Sequence, residues 1–225
     1  MSAKRRAVSI GILALLCACA GSKIFTRESV IAPIDETQSL ENLSLAVIAL
    51  DTLTISYNQN RHFPAKKYRY YIKHKLPNII KAKTRFTKSE FQFVVTNMND
   101  VVWEKTVLSI NNTKINRPVD QSVLHFPNNS FDFVLILNQI DVFARKKRVL
   151  DSISDIVTEH AAPEVVHCIR YVLWDNRNKN ALAYGMTEIP SVALEYYFGT
   201  QRWNDLMSDI AEQVFENTPF QIDQK

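Results

Sequence analysis

Glycine and cysteine are the two scarcities that limit this chain most. Only 4 of its 225 residues are glycine, and after Gly21 only Gly185 and Gly199 remain. A phosphate-cradling loop needs several glycines close together so that backbone amides can approach the anion. Walker-type and dinucleotide-binding fingerprints are therefore excluded, and there is no G-x-S-x-G elbow. Of the 3 cysteines, Cys17 and Cys19 lie near the N-terminus, which leaves Cys168 alone. No disulfide can then form within the body of the chain, and packing has to hold it together. A surplus of one charge is missing too. The formal +4 includes Lys4, Arg5 and Arg6, and without them the remainder sums to about +1, which gives no reason to expect a nucleic-acid partner.

What is present begins with those three cations. They precede an apolar run from Ala7 to Leu16 broken only by Ser9 and Gly11, the build of a secretory signal peptide and too short for a comfortable permanent span. Leu16-Cys17-Ala18-Cys19 resembles the lipobox of bacterial lipoproteins. That resemblance implies cleavage after residue 18 and acylation of Cys19. The same letters permit two other outcomes: Ala18-Cys19-Ala20 is an A-x-A site for ordinary cleavage before Gly21, and an uncleaved leader would serve as an interfacial anchor. Ala20-Gly21-Ser22, with no Asp at the second position, resembles the sorting signal for the outer membrane. The organisation expected is a signal peptide over 1–18, a lipidated tether over 19–42, one domain over 43–220 and a tail over 221–225.

Within that domain, Leu43 to Tyr57 predicts a strand whose first half is apolar on both faces, as in a central strand. Pro64 opens a helix carrying Tyr68, Tyr71, Ile72, Leu76 and Ile79 at helical spacing, and Pro77 should kink or divide it. Its lysines and tyrosines suit either a headgroup-binding patch or an ordinary solvated face. Phe91–Thr96, Val101–Ile110 and Ser122–Phe126 are expected strands. Phe131–Phe143 predicts a long strand ended by Arg145-Lys146-Lys147-Arg148, with the odd-numbered side turning polar at Gln139 and Asp141. Asp151–His160 is expected as a short helix or crossover stopped before Pro163. A hairpin follows, Val165–Trp174 and Ala181–Ile189 around the polar tip 175–180, with Gly185 marking a bulge or close packing. Ser191–Phe198 offers a further helical segment. From Thr200, Trp203, Leu206, Met207, Ile210, Ala211, Val214 and Phe215 form the apolar stripe of a last helix. The order predicts an α+β fold: a mixed or antiparallel sheet of about five to six strands with two main helices on one face. The other face then needs polar residues or a partner.

Candidates for chemistry are few. His160 and Glu164, with Asp155, Glu159 and His167, are the one cluster of metal-ligand type, and Pro163 breaks the helix that would align them. His167 and Cys168 are neighbours on a strand, so their side chains diverge and make no catalytic dyad. No metal, cofactor or catalytic residue is assigned.

At Arg170-Tyr171-Val172-Leu173-Trp174-Asp175, Ala183-Tyr184-Gly185, Trp203, Ile210-Ala211 and Pro219-Phe220 the chain resembles small envelope lipoproteins. It is similar to auxiliary lipoproteins of lipid-trafficking ABC transporters and to curli-secretion-like lipoproteins. The Asn-rich stretch around 97–130 departs from that pattern. The expectation is an outer-membrane lipoprotein facing the periplasm, held through Cys19, acting without catalysis as an accessory or adaptor subunit of a transport or secretion complex. A partner would dock on an uncovered sheet face or at Tyr196, Tyr197 and Trp203. The alternative is a stand-alone lipid or small-molecule binder.

Overall fold

The computed structural model describes residues 26–32, 41–50, 55–56, 65–92, 98–109, 112–153, 156–192 and 200–222. It is an α+β fold built on one mixed sheet. Its strands are β1 (Thr26–Ile31), β2 (Ser44–Ala49), β3 (Ile55–Ser56), β4 (Lys88–Phe91), β7 (Phe133–Ile153), β8 (Ile156–Asp175) and β9 (Asn180–Val192). They lie in the order β1-β9-β8-β7-β2-β4, with β3 pairing β7 beyond β2. β5 (Trp103–Val107) and β6 (Lys114–Pro118) form a separate antiparallel hairpin. The helices are α1 (Ala65–His74), α2 (Leu76–Lys83) and α3 (Thr200–Phe215).

β2 is the central strand its composition predicts, parallel to β7 on one side and to β4 on the other. Leu45 and Val47 pack to one side of the sheet, Ala46 and Ile48 to the other, all buried. The helix expected from Pro64 onward divides at Lys75, and Pro77 sits in the first turn of α2, where its missing N–H costs nothing. Buried residues of all three helices share one cluster with Leu45, Leu135, Ile169 and Leu173. Trp203 of α3 packs edge-on to Tyr68 at 5.8 Å and against Tyr71 at 5.4 Å. At the far end Phe86, Phe133, Phe215 and Phe220 interlock with centroid separations of 4.7–5.7 Å. All seven residues of the predicted α3 stripe are buried.

The opposite side of the sheet is covered by the chain itself. Val101, Ile115, Leu124, Phe126 and Phe131 close over Ala46, Ile48, Val134, Ile136, Val172 and Trp174. The Asn-rich stretch is therefore a lid on the second face, which corrects the expectation of an uncovered face for a partner. Asn176, in the β8–β9 turn, pins this lid: its side chain exchanges hydrogen bonds with the Leu124 amide and carbonyl, both at 2.9 Å, and donates to the Phe131 carbonyl at 3.3 Å. Ser122–Phe126 is part of this lid and forms no continuous strand.

Four more expectations are corrected. The stretch assigned to a tether contains β1, which pairs antiparallel with β9 from Thr26↔Glu188 to Ile31↔Ala183. Arg27 fastens it further with an ion pair to Glu216 at 3.2 Å. Arg145-Lys146-Lys147-Arg148 do not end β7, which runs on to Ile153, and of the segment 151–160 the described residues, 151–153 and 156–160, are strand rather than helix. Charge does not stop a two-stranded ribbon that has left the sheet, and Val149, Ile153, Ile156, Val157 and Thr158 are strand formers. Pro163 lies one residue beyond Glu164, where the described β8–β9 pairing ends at Val192↔Glu164, and a position without a ladder partner among the described residues tolerates the missing N–H. The β4 strand also begins earlier than expected, at Lys88.

Gly185 is a close-packing glycine. A Cβ there would stand 2.4 Å from the Glu28 carbonyl oxygen and 2.8 Å from the Ser29 Cβ. Gly185→Ala is expected to force β1 away from β9 and destabilise the fold by roughly 1–3 kcal/mol. Urea unfolding together with hydrogen exchange of the β1 amides reads this; an unchanged midpoint with protected β1 amides would contradict the packing.

Candidate functional site

The site follows from one inserted residue. β7 and β8 pair as Leu137↔Tyr171 and then Gln139↔Arg170, so Asn138 is left over as a bulge. Before it, Phe133, Leu135 and Leu137 join the helix-side cluster; after it, Ile140 and Val142 do. Gln139, Asp141 and Phe143 are thereby turned to the other face, beside Arg170 and Cys168 of β8 and Met186 and Glu188 of β9. Asn138 itself accepts a hydrogen bond from the Asn116 amide of β6 at 2.8 Å.

That contact helps seat the β5–β6 hairpin on the sheet. Thr113 donates to the Met186 sulfur at 3.8 Å, the Arg117 guanidinium lies 5.7 Å from the Tyr184 ring centre, and the Ser109 amide donates to Glu28 at 2.6 Å. Between hairpin and sheet lies an open groove of about 540 Å³, reached by Lys114, Asp141, Cys168, Arg170, Met186 and Glu188. The size suits a small ligand.

The groove floor is a closed charge set. Arg170 donates to Gln139 Oε1 at 2.7 Å and pairs with Asp141 at 3.2 Å, while Gln139 donates to the same carboxylate at 2.7 Å. This triad fixes two side chains across a strand pair and leaves the Arg170 side chain 24% exposed. Cys168 beneath it is 5% exposed. Burial pushes its thiol up to about 12, against a smaller opposing pull from Arg170. The thiolate that nucleophilic chemistry requires is therefore suppressed.

His167 points the other way. It is fully buried on the helix side, stacked on Tyr68 at 5.5 Å, with Nε2 3.1 Å from the Ser191 hydroxyl. The divergence of His167 from Cys168 read from strand alternation is thus observed. Burial holds the imidazole down at about 3, so it is neutral at ordinary pH.

The other expected site residues fall elsewhere. Cys19, Tyr196, Tyr197 and Asp155 lie outside the described residues. Trp203 is 2% exposed, its ring held by Tyr68, Tyr71 and the Lys67 ammonium at 5.4 Å. Glu164 and His167 belong to β8, and no group of metal-ligating residues is found among the described residues. Sequence reasoning missed the Gln139–Asp141–Arg170 set. Its signal was present: the switch of polar parity after Leu137, and a lone arginine inside the apolar run Val165–Trp174.

No family model and no curated protein matches the chain. Among solved structures it is similar to the PelC dodecamer from Paraburkholderia phytofirmans, with 10% identity over 85% of this chain and 95% of that one, at a TM-score of 0.38. It is also similar to a neuraminyllactose-binding hemagglutinin homolog from Helicobacter pylori, with 11% identity over 81% and 89% of the two chains and a TM-score of 0.40.

Two titrations follow from the burial. Cys168 should react with a thiol reagent near neutral pH about a thousandfold more slowly than an ordinary thiol of pKa 9.0, accelerating as pH rises toward 12. Stopped-flow labelling of native protein checks this, and a free-thiol rate would mean the groove floor is open. For His167 the unfolded chain binds the extra proton between its ordinary 6.5 and the folded value of about 3. Stability is therefore full above 6.5 and is lost as pH falls toward 3, by up to about 5 kcal/mol. His167→Phe should flatten the acid limb of denaturant midpoint against pH; an unchanged slope would assign the acid sensitivity to other groups.

Proposed function

We propose that this chain is a lipoprotein anchored through Cys19 to the outer membrane and facing the periplasm, where its domain acts as a non-catalytic accessory or adaptor subunit of an envelope transport or secretion assembly. The observation that carries the reading is the short path from lipobox to fold. β1 begins at Thr26, so residues 20–25 allow at most roughly 25 Å between acylated Cys19 and the sheet, at about 3.5 Å per residue. A domain leashed that closely works at the membrane surface. The state of the two chemically versatile side chains supports binding over catalysis: the Cys168 thiol stays protonated, and the His167 imidazole is neutral and faces away from it.

A second reading rests on the groove. About 540 Å³ lined by Lys114, Arg170, Asp141 and Glu188 together with Phe143 and Met186 would suit a small amphiphile, making the domain a stand-alone lipid or small-molecule binder.

Affinity purification of the full chain from detergent-solubilised membranes, with intact mass on the same sample, separates these. The adaptor reading expects an acylated chain beginning at Cys19 and stoichiometric envelope proteins; Cys19→Ala should lose the acyl mass. Co-purified lipid without protein partners would favour the binder. An unacylated chain beginning at Gly21 would overturn the anchor.

A further inference from the structure

Exposed basic charge is gathered on one helix. Between Ala65 and Arg85 the chain holds eight lysines and arginines and no aspartate or glutamate. At about 100° per residue, Lys66, Lys67, Arg69, Tyr70, Lys73 and His74 of α1 fall on one arc, opposite the buried Tyr68, Tyr71 and Ile72. All of that arc but the half-buried Lys73 is exposed.

Helix stability does not call for this arrangement. The first turn of α1 carries Lys66 and Lys67 and no acid, where the helix dipole favours the opposite sign. Arg69 stands one turn before Lys73, a like-charge spacing that weakens a helix. At the centre of the arc Tyr70 is 51% exposed, its ring 4.8 Å from that of His74. A tyrosine there offers an apolar body and a polar tip, the combination that settles at headgroup level in a membrane. Of the acids on and beside α3, Glu212 is taken by Lys83 of α2 and Glu216 by Arg27.

Placement indicates which surface this face meets. Tyr68 of α1 stacks on His167 at 5.5 Å. His167 pairs with Ile189, the neighbour of Glu188, and Glu188 pairs with Thr26 at the start of β1. α1 therefore stands at the level where the chain enters the sheet, with β8 two strands across from β1, or roughly 10 Å at about 4.8 Å per spacing. The leash from Cys19 to β1, at most roughly 25 Å when taut, spans that offset.

We propose that this face of α1 docks on the leaflet that holds the anchor, with Lys66, Lys67, Arg69 and Lys73 against anionic phospholipid headgroups and Tyr70 seated among them. The proposal rests on the Cys19 reading given above. Each basic residue at an anionic surface strengthens attachment about fivefold. A second copy laid on the same face would set cations against cations.

The test reconstitutes the full chain in phosphatidylcholine vesicles and in vesicles with roughly 30 per cent phosphatidylglycerol. Acetylation of the Lys66 amine is followed by mass spectrometry, with the exposed Lys179 of the β8–β9 turn as reference. Expected is labelling of Lys66 slowed on the order of tenfold on the anionic vesicles only, restored by molar salt, while Lys179 is unchanged. Arg69→Glu should restore it too, because it moves the face by two charges, about 25-fold in attachment. The same substitution puts an acid one turn before Lys73, so the urea midpoint should hold or rise, which separates lost docking from lost folding. Slowing that survives Arg69→Glu overturns the proposal. Equal labelling on both vesicle types with the chain still attached overturns the docking role and leaves the anchor standing. Attachment to anionic vesicles alone, released by salt and with Lys66 protected, sustains the docking role and overturns the anchor. Slowing that grows with protein concentration in the absence of vesicles assigns the face to a second copy, and slowing that requires an added acidic protein assigns it to that partner; either overturns the proposal.

Discussion

A strand alternates its side chains with a period of two, so a single inserted residue exchanges its faces, and this sheet depends on one such residue. Asn138 allows β7 to be buried on both sides over Phe133–Leu137 and then to present Gln139 and Asp141 to the groove, while Ile140 and Val142 remain in the helix-side core. Without the extra residue, the polar pair would face α1 and α3, where an unpaired carboxylate would cost several kcal/mol. The bulge thus reconciles an apolar core with a charged groove on one continuous strand.

The groove is held in place from both directions. Below, the Arg170 guanidinium is neutralised by Asp141 and oriented by Gln139, a geometry in which each member fixes the next. Above, the β5–β6 hairpin is tied by Asn138, Met186 and Glu28, which belong to three different strands. The hairpin would gain little as an isolated two-stranded unit. Its order comes from the sheet, and in return it buries Cys168 and the apolar residues around Trp174.

Much of this was legible in the residues because it follows from periodicity. The α3 stripe, the division of the first helix just ahead of Pro77, the two-sided burial of β2 and the β8–β9 hairpin all follow local rules. So does the parity switch after Leu137, which is visible as polar Gln139 and Asp141 between apolar neighbours. What stayed hidden was non-local. β1 has two charges in six residues and becomes a strand only because β9 offers an edge and Glu216 a counter-ion. Residues 98–131 show weak periodicity because half of their length is lid, fastened by Asn176 from the far side of the sheet. The continuation of β7 through four cations was hidden for a related reason: a ribbon that has left the sheet tolerates charge that a buried strand would not.

With both faces of the central sheet occupied by the protein's own chain, its edges become the next surfaces available for association. Both are built to resist casual pairing. β1 carries Arg27 and Glu28, β4 is four residues long with Lys88 and Glu90, and each is short enough to give an intruding strand little purchase. The remaining extended backbone is the ribbon of β7 and β8, which is long, unflanked on either side among the described residues, and basic where it leaves the sheet. Among the described residues, the sheet's edge strands are thus short and charged, while its longest strand pair runs on past its neighbours at the end where β1 begins.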